Sequence, residues 1–151
     1  MNFEDLNDRS KVWIYQADRA LNTTEQTQIL EKVNQFTANW NSHGKDLVAA
    51  GKIIDDHIIA LGVDEEDDHI CGGAVDASTR FIKQLGKEVN ADFFNRLKVL
   101  TIDENGNFEY VSHSKLKDVP NRTMYNVAVH SKNAFDQQFK IIVNDYLKSR
   151  K

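Results

Sequence analysis

Hydrophobic and polar positions first fall into a pattern at residues 11–16 (KVWIYQ), where Val12 and Ile14 share one face and Trp13 and Tyr15 the other. That period of two predicts a β-strand. After a polar break at 20–24, Thr23 stands as an N-cap with Gln26 three residues on, the spacing of a capping box. Ile29, Val33, Phe36 and Trp40 then recur at steps of four, three and four. One apolar stripe of this kind predicts a helix to about Trp40. Residues 41–44 (NSHG) stop it, with Gly44 suited to a left-handed cap.

The run 58–63 (IIALGV) is short and apolar on both faces, as in a central strand. Residues 47–54 before it read as an outer strand pairing back through an Asp55-Asp56 turn, with a helix favoured by Ala49 and Ala50 as the competitor. A second helix is expected from about Val75 to Glu88, burying Val75, Phe81, Ile82 and Leu85, and a helical turn at 92–96. Residues 97–102 and 108–111 form a hairpin around Asn105-Gly106, a strong turn signal. A last strand is expected at 124–129, and Ser131 caps a C-terminal helix burying Phe135, Phe139, Ile142 and Tyr146. That helix is also expected to cover the Trp13 and Tyr15 face. The first six elements run β-α-β-β-α-β. This predicts an α+β fold: a single antiparallel or mixed sheet with a ferredoxin-like core, plus an extra hairpin strand, a last strand and the C-terminal helix. With neither internal repeat nor linker, residues 1–151 are read as one domain.

Of 151 residues, 40% are hydrophobic and 28% charged, the balance of a globular chain. Lys and Arg total 19 against 23 Asp and Glu, and the net charge of −4 argues against a nucleic-acid partner. No apolar run approaches the ~20 residues of a membrane span, and residues 1–11 lack a secretory pattern. A single cysteine, Cys71, cannot form an internal disulfide, so a reducing cytoplasm is the expected compartment. With one cysteine and no paired histidines, neither a metal site nor a cofactor is expected.

Four segments carry a resemblance: VWIYQADRAL (12–21), WNSHG (40–44), VDE (63–65) and CGGAVDASTRFIKQL (71–85). Together they resemble a family of small uncharacterised bacterial proteins of similar length, often labelled "ABC transporter ATPase". The label implies a phosphate-binding loop, G-x-x-x-x-G-K-[ST], whose amides cradle phosphates and whose hydroxyl holds Mg²⁺. The Gly-Lys pairs at 44, 51 and 86 have Asn39, Asp46 and Phe81 where the first glycine belongs, and Asp46, Ile53 and Glu88 where the hydroxyl belongs. The chain therefore lacks the residues that P-loop ATP chemistry needs.

In a split β-α-β unit, the loop after the first helix and the loop before the second share one end of the sheet. Trp40, His43, Asp64, Glu65, Cys71, Gly72, Gly73 and Asp76 are expected to gather there as a site for a small anionic or polar ligand or a protein partner. Cys71 before Gly-Gly at a helix start is the sharpest feature, because helix amides favour a thiolate or an anion. His43 would be its base in a catalytic reading. The structural reading makes Cys71 a packing thiol and Asp76, Ser78 and Thr79 helix-capping residues. The acidic run 64–69 reads as a solvated loop. The reading preferred from sequence is a non-enzymatic ligand-binding or protein-interaction module, the rival a small enzyme with Cys71 as nucleophile. In the native protein, Cys71 should react with iodoacetamide at neutral pH no faster than a free thiol of ordinary pKa, measured by mass spectrometry.

Overall fold

The computed structural model describes residues 1–64 and 72–150. Its regular elements are β1 (Lys11–Gln16), α1 (Thr23–Asn39), β2 (Asn41–Ser42), β3 (Lys45–Asp46), β4 (Val48–Ile54), β5 (Ile58–Asp64) and α2 (Gly72–Val89). They continue as β6 (Lys98–Ile102), β7 (Phe108–Ser112), β8 (Thr123–Tyr125), α3 (Lys132–Gln138), β9 (Lys140–Ile142) and α4 (Val143–Ser149). Short 3-10 turns stand at Phe3–Asp5 and His113–Asp118.

The fold is mixed α+β, but the expected single sheet is replaced by three. One is antiparallel in the order β1-β5-β4, one is the β2-β3 hairpin, and one has the order β7-β6-β8-β9. The first places the third long strand between the first and second, as a split β-α-β unit does. A ferredoxin-like sheet would then add the strand after α2 beside β1. Here β6 pairs with β7 and β8 instead.

Single contacts, not a ladder, join β1 to the four-stranded sheet. The amide of Gln16, only 6% exposed, donates from Nε2 to the Lys98 carbonyl at 3.1 Å and accepts from the Leu100 N–H at 3.4 Å. The Arg96 guanidinium donates to the Ile14 carbonyl at 3.2 Å, and the Val12 N–H to the His130 carbonyl at 3.1 Å. A glutamine amide carries the same donor and acceptor as a peptide, so it joins the two sheets without a common ladder.

The residues 47–54 segment is strand at Val48–Ile54 despite its alanines and glycine. Small side chains let α1 lie close: a Cβ at Gly51 would run into Val33 of α1. Asp55 and Asp56 turn the chain into β5 with φ of 49° and 65°. Aspartate tolerates this left-handed pair better than most residues. Both carboxylates are also held, Asp55 by the Tyr125 hydroxyl at 2.5 Å and Lys140 at 2.8 Å, Asp56 by Gln26 at 2.9 Å.

β5 is buried on both faces. Ile59, Leu61 and Val63 pack with α1 and α2, while Ile58 and Ala60 join Leu100, Tyr125 and Phe139 of the second half. Tyr15 belongs to the first cluster with Trp13 packed against it, so α1 and α2 cover this face, not the expected C-terminal helix. Val99, Met124, Val143 and Tyr146 form a third cluster outside the second sheet.

Several boundaries differ for local reasons. Asn22, not Thr23, caps α1, in a reciprocal capping box with Glu25. Gly44 is left-handed, φ 77°, but follows the left-handed His43 in the β2-β3 turn instead of capping a helix. Residues 92–96 form no helical turn, since Asp92 accepts from the Phe94 N–H at 2.8 Å and Asn95 from the Leu97 N–H at 3.0 Å. The expected strand 124–129 ends at Tyr125, where Asn126 accepts the Ala128 N–H at 3.1 Å and bends the chain. The C-terminal helix is two helices. Ser131 caps α3 as expected, but β9 interrupts and pairs with β8. Ile141, Ile142 and Val143 are β-branched, and β8 offers an edge. Phe135 and Phe139 can therefore pack with one cluster and Tyr146 with another, while Ile142 is left half-exposed.

Replacing Gln16 by Leu should lower stability by ~1–3 kcal/mol, because a buried carbonyl and a buried N–H lose their partner. The urea midpoint should fall with an unchanged m-value, whereas the exposed Gln28→Leu should shift it by ~0.5 kcal/mol or less.

Candidate functional site

The sequence-derived site centres on the start of α2. Trp40 ends α1 with its ring 3% exposed and its Nε1 donating to the Ala74 carbonyl at 2.9 Å. Its centroid lies 5.5 Å from Trp13 and 5.0 Å from Phe36. It is a packing residue that ties the end of α1 to the first turn of α2. His43 is exposed in the β2-β3 turn. Asp64 ends β5 opposite Val48, with its carboxylate accepting from the Asn7 amide. Gly72 and Gly73 open α2 with exposed backbone, and Asp76 is exposed in the helix. Ser78 and Thr79 lie inside α2 and donate to the Val75 carbonyl at 2.7 and 3.3 Å, so they do not cap it. Glu65, Cys71 and the acidic run beyond Asp64 lie outside the described residues, and so does any pairing of His43 with Cys71.

A cleft lined by described residues lies elsewhere. It measures about 600 Å³ and sits at the opposite, C-terminal end of α2. Gly86 makes it possible: its carbonyl accepts the Ala91 N–H at 2.9 Å, and a Cβ there would stand 2.6 Å from the Ala91 carbonyl oxygen. Asn90 then takes φ 57° and turns the chain back along the helix. The adjacent phenylalanines split. Phe93 is 3% exposed and anchors the loop, while Phe94 is 36% exposed and lines the cleft with its ring edge-on to Tyr15 at 5.6 Å. The Lys83 ammonium lies 5.7 Å from the centre of the Phe94 ring. Lys83 and Lys87 of α2 line the cleft together with Asp18 and Asp92, and Asp18 accepts the Asp92 N–H at 3.1 Å. Burial pushes the Tyr15 phenol up, partly offset by the bond to Ser78.

Arg19 braces this end. It donates to the Val89 carbonyl, where a cation complements the helix C-terminus, and binds Glu25 through both nitrogens at 2.9 and 2.6 Å. The Arg19 bond, then the Asn22 amide, hold the Glu25 carboxyl down at about 2.

None of these cleft residues stood out in the sequence. The Phe93-Phe94 doublet was the available signal, and it was absorbed by the helical-turn reading of 92–96. Among the described residues, no group of three or more His, Cys, Asp or Glu side chains is placed to hold a metal ion, and no helix is long and apolar enough to cross a membrane. No family model, curated protein or solved structure matches the chain.

Because Glu25 is depressed in the fold, its contribution to stability is present above its ordinary pKa near 4.5 and disappears as the pH falls towards about 2. Arg19→Met should therefore shrink the difference between urea midpoints measured at about pH 5 and about pH 2.

Proposed function

We propose that the protein is a non-enzymatic ligand-binding module whose ligand is a small molecule with an apolar body, held in the cleft at the C-terminal end of α2. The cleft carries this reading. Its volume of about 600 Å³ lies in the ~300–1,000 Å³ range of small-molecule sites. Phe94, 36% exposed, supplies apolar surface beside the buried Ile82 and Phe93, and such surface stabilises a ligand by ~25 cal/mol per Å² removed from water. Lys83, Lys87, Asp18 and Asp92 also line it, which offers polar groups of a ligand partners of both signs. The net charge of −4 supports a partner other than nucleic acid, and the single cysteine supports a reducing compartment.

The rival, an enzyme using Cys71 with His43 as base, draws on one observation: α2 begins at Gly72, the residue after Cys71. Helix amides favour a thiolate at such a place. The alkylation rate of Cys71 separates the two readings. The ATPase label of the resembled family does not enter the proposal, because no Gly-Lys pair has phosphate-loop spacing.

A fragment library screened by two-dimensional NMR should shift the amides of Lys83, Lys87 and Phe94. Phe94→Ala should weaken the best fragment by about tenfold, equivalent to ~1.4 kcal/mol. Shifts confined to residues 72–76 would return the site to the start of α2.

A further inference from the structure

A second, smaller pocket opens where Gln16 bridges β1 to β6, a seam otherwise lined by the second half of the chain, and it shares no lining residue with the α2 cleft. Its volume is about 150 Å³, room for roughly five water molecules at ~30 Å³ each. Four basic side chains line it: Arg96 before β6, Lys98 in β6, His113 after β7, and Arg150 after α4. No Asp or Glu is among the lining residues. For a chain with net charge −4 this is an unusual local balance.

The two arginines are held, but not neutralised. Arg96 donates to two main-chain carbonyls, Ile14 at 3.2 Å and Val127 at 3.4 Å. These fix the plane of the guanidinium and leave its charge intact. Arg150 donates to the Tyr146 hydroxyl at 2.7 Å and lies 5.4 Å from the centre of the same ring. His113 Nε2 lies 3.2 Å from that hydroxyl. Tyr146 is buried and anchored in the third cluster, so it holds Arg150 and His113 to a fixed wall. Elsewhere the protein pairs its constrained cations with carboxylates, as Arg19 with Glu25 and Arg122 with Glu104 and Glu109. Among the described residues, none of the four in the seam has such an ion pair.

We propose that this seam binds a small oxyanion, a phosphate or carboxylate group, between Arg96 and Arg150 with Lys98 at its rim. Guanidinium groups match such anions in shape and donate two parallel hydrogen bonds. An anion here would also screen the repulsion among side chains that arrive from three segments of the second half. The site stands independently of the ligand proposed for the α2 cleft.

The test is NMR titration of the full chain with sodium phosphate and sodium acetate, against sodium chloride at matched ionic strength. Saturable shifts at Arg96, Lys98, His113 and Arg150 with phosphate or acetate, and not with chloride, are expected. Tighter phosphate binding would mark a phosphoryl ligand, and tighter acetate binding a carboxylate. Arg150→Gln should weaken binding at least tenfold and Lys98→Gln severalfold, while Lys115→Gln, outside the pocket, should leave it unchanged. Arg96 also supports β1, so the two exposed variants carry the test. Equal shifts with all three salts, or saturable binding indifferent to both variants, would overturn the proposal.

Discussion

An antiparallel sheet must close its edges, and the architecture follows from how β1 closes its own. Unpaired main-chain groups buried at an edge cost roughly 1–3 kcal/mol each. A fourth strand would satisfy those of β1 with a ladder. Here the Arg96 guanidinium and the His130 carbonyl serve main-chain groups of β1, while the Gln16 side chain serves those of Lys98 and Leu100 in β6. Because these bonds come from single groups, β6 is free to build a separate sheet with β7, β8 and β9. The second sheet then covers the Val12 and Ile14 face of the first, and β1 and β5 become buried on both sides. The seam pocket lies beside the Gln16 junction, and Gln16 lines it.

A second joint holds the far end of the β4-β5 hairpin to the second sheet. Asp55 is drawn in two directions. Burial raises its carboxyl, but the bonds from Lys140 and Tyr125 outweigh this and leave it below its ordinary value. Burial, followed by the hydrogen bond to Asp55, pushes the Tyr125 phenol up. His57 is buried beside them with Nδ1 2.8 Å from the Asp55 carbonyl and its ring packed on Phe108. The left-handed turn is thus fixed at both carboxylates, and the hairpin cannot swing away from β8 and β9 without breaking an ion pair and a hydrogen bond.

The loop from Asp92 to Leu97 serves both candidate sites. Asp92, Phe93 and Phe94 line the α2 cleft, and Arg96 lines the seam. The Asp92 and Asn95 side chains bond to main-chain N–H groups two residues on, which stiffens the loop without a helix. Leu97, 78% exposed, is its outward point. A ligand in one site therefore acts on the same short, braced segment as a ligand in the other.

Local chemistry made much of this legible. Alternation gave β1, both-sided apolarity gave β5, the i, i+4 stripe gave α1, and Asn105-Gly106 gave the β6-β7 turn, because these signals depend on neighbours in the chain. Trp40 was legible as apolar, but its role in tying α1 to Ala74 depends on the packed pair of helices. That no strand takes β1's open edge was not legible, since Gln16 reads as any polar strand end until Lys98 and Leu100 meet it. Nor was the break at Phe139. Phe135, Phe139, Ile142 and Tyr146 keep a helical spacing, and only the open edge of β8 turns Lys140–Ile142 into strand. The cationic seam was least visible of all: Arg96, Lys98, His113 and Arg150 span more than fifty positions, and charge is felt through space, not along the chain. The sequence alone determined where the chain is regular and which residues are apolar. Only the tertiary structure decided which edges meet and which charges face one another, because hydrogen-bond closure and Coulomb interaction act between segments that local periodicity cannot relate.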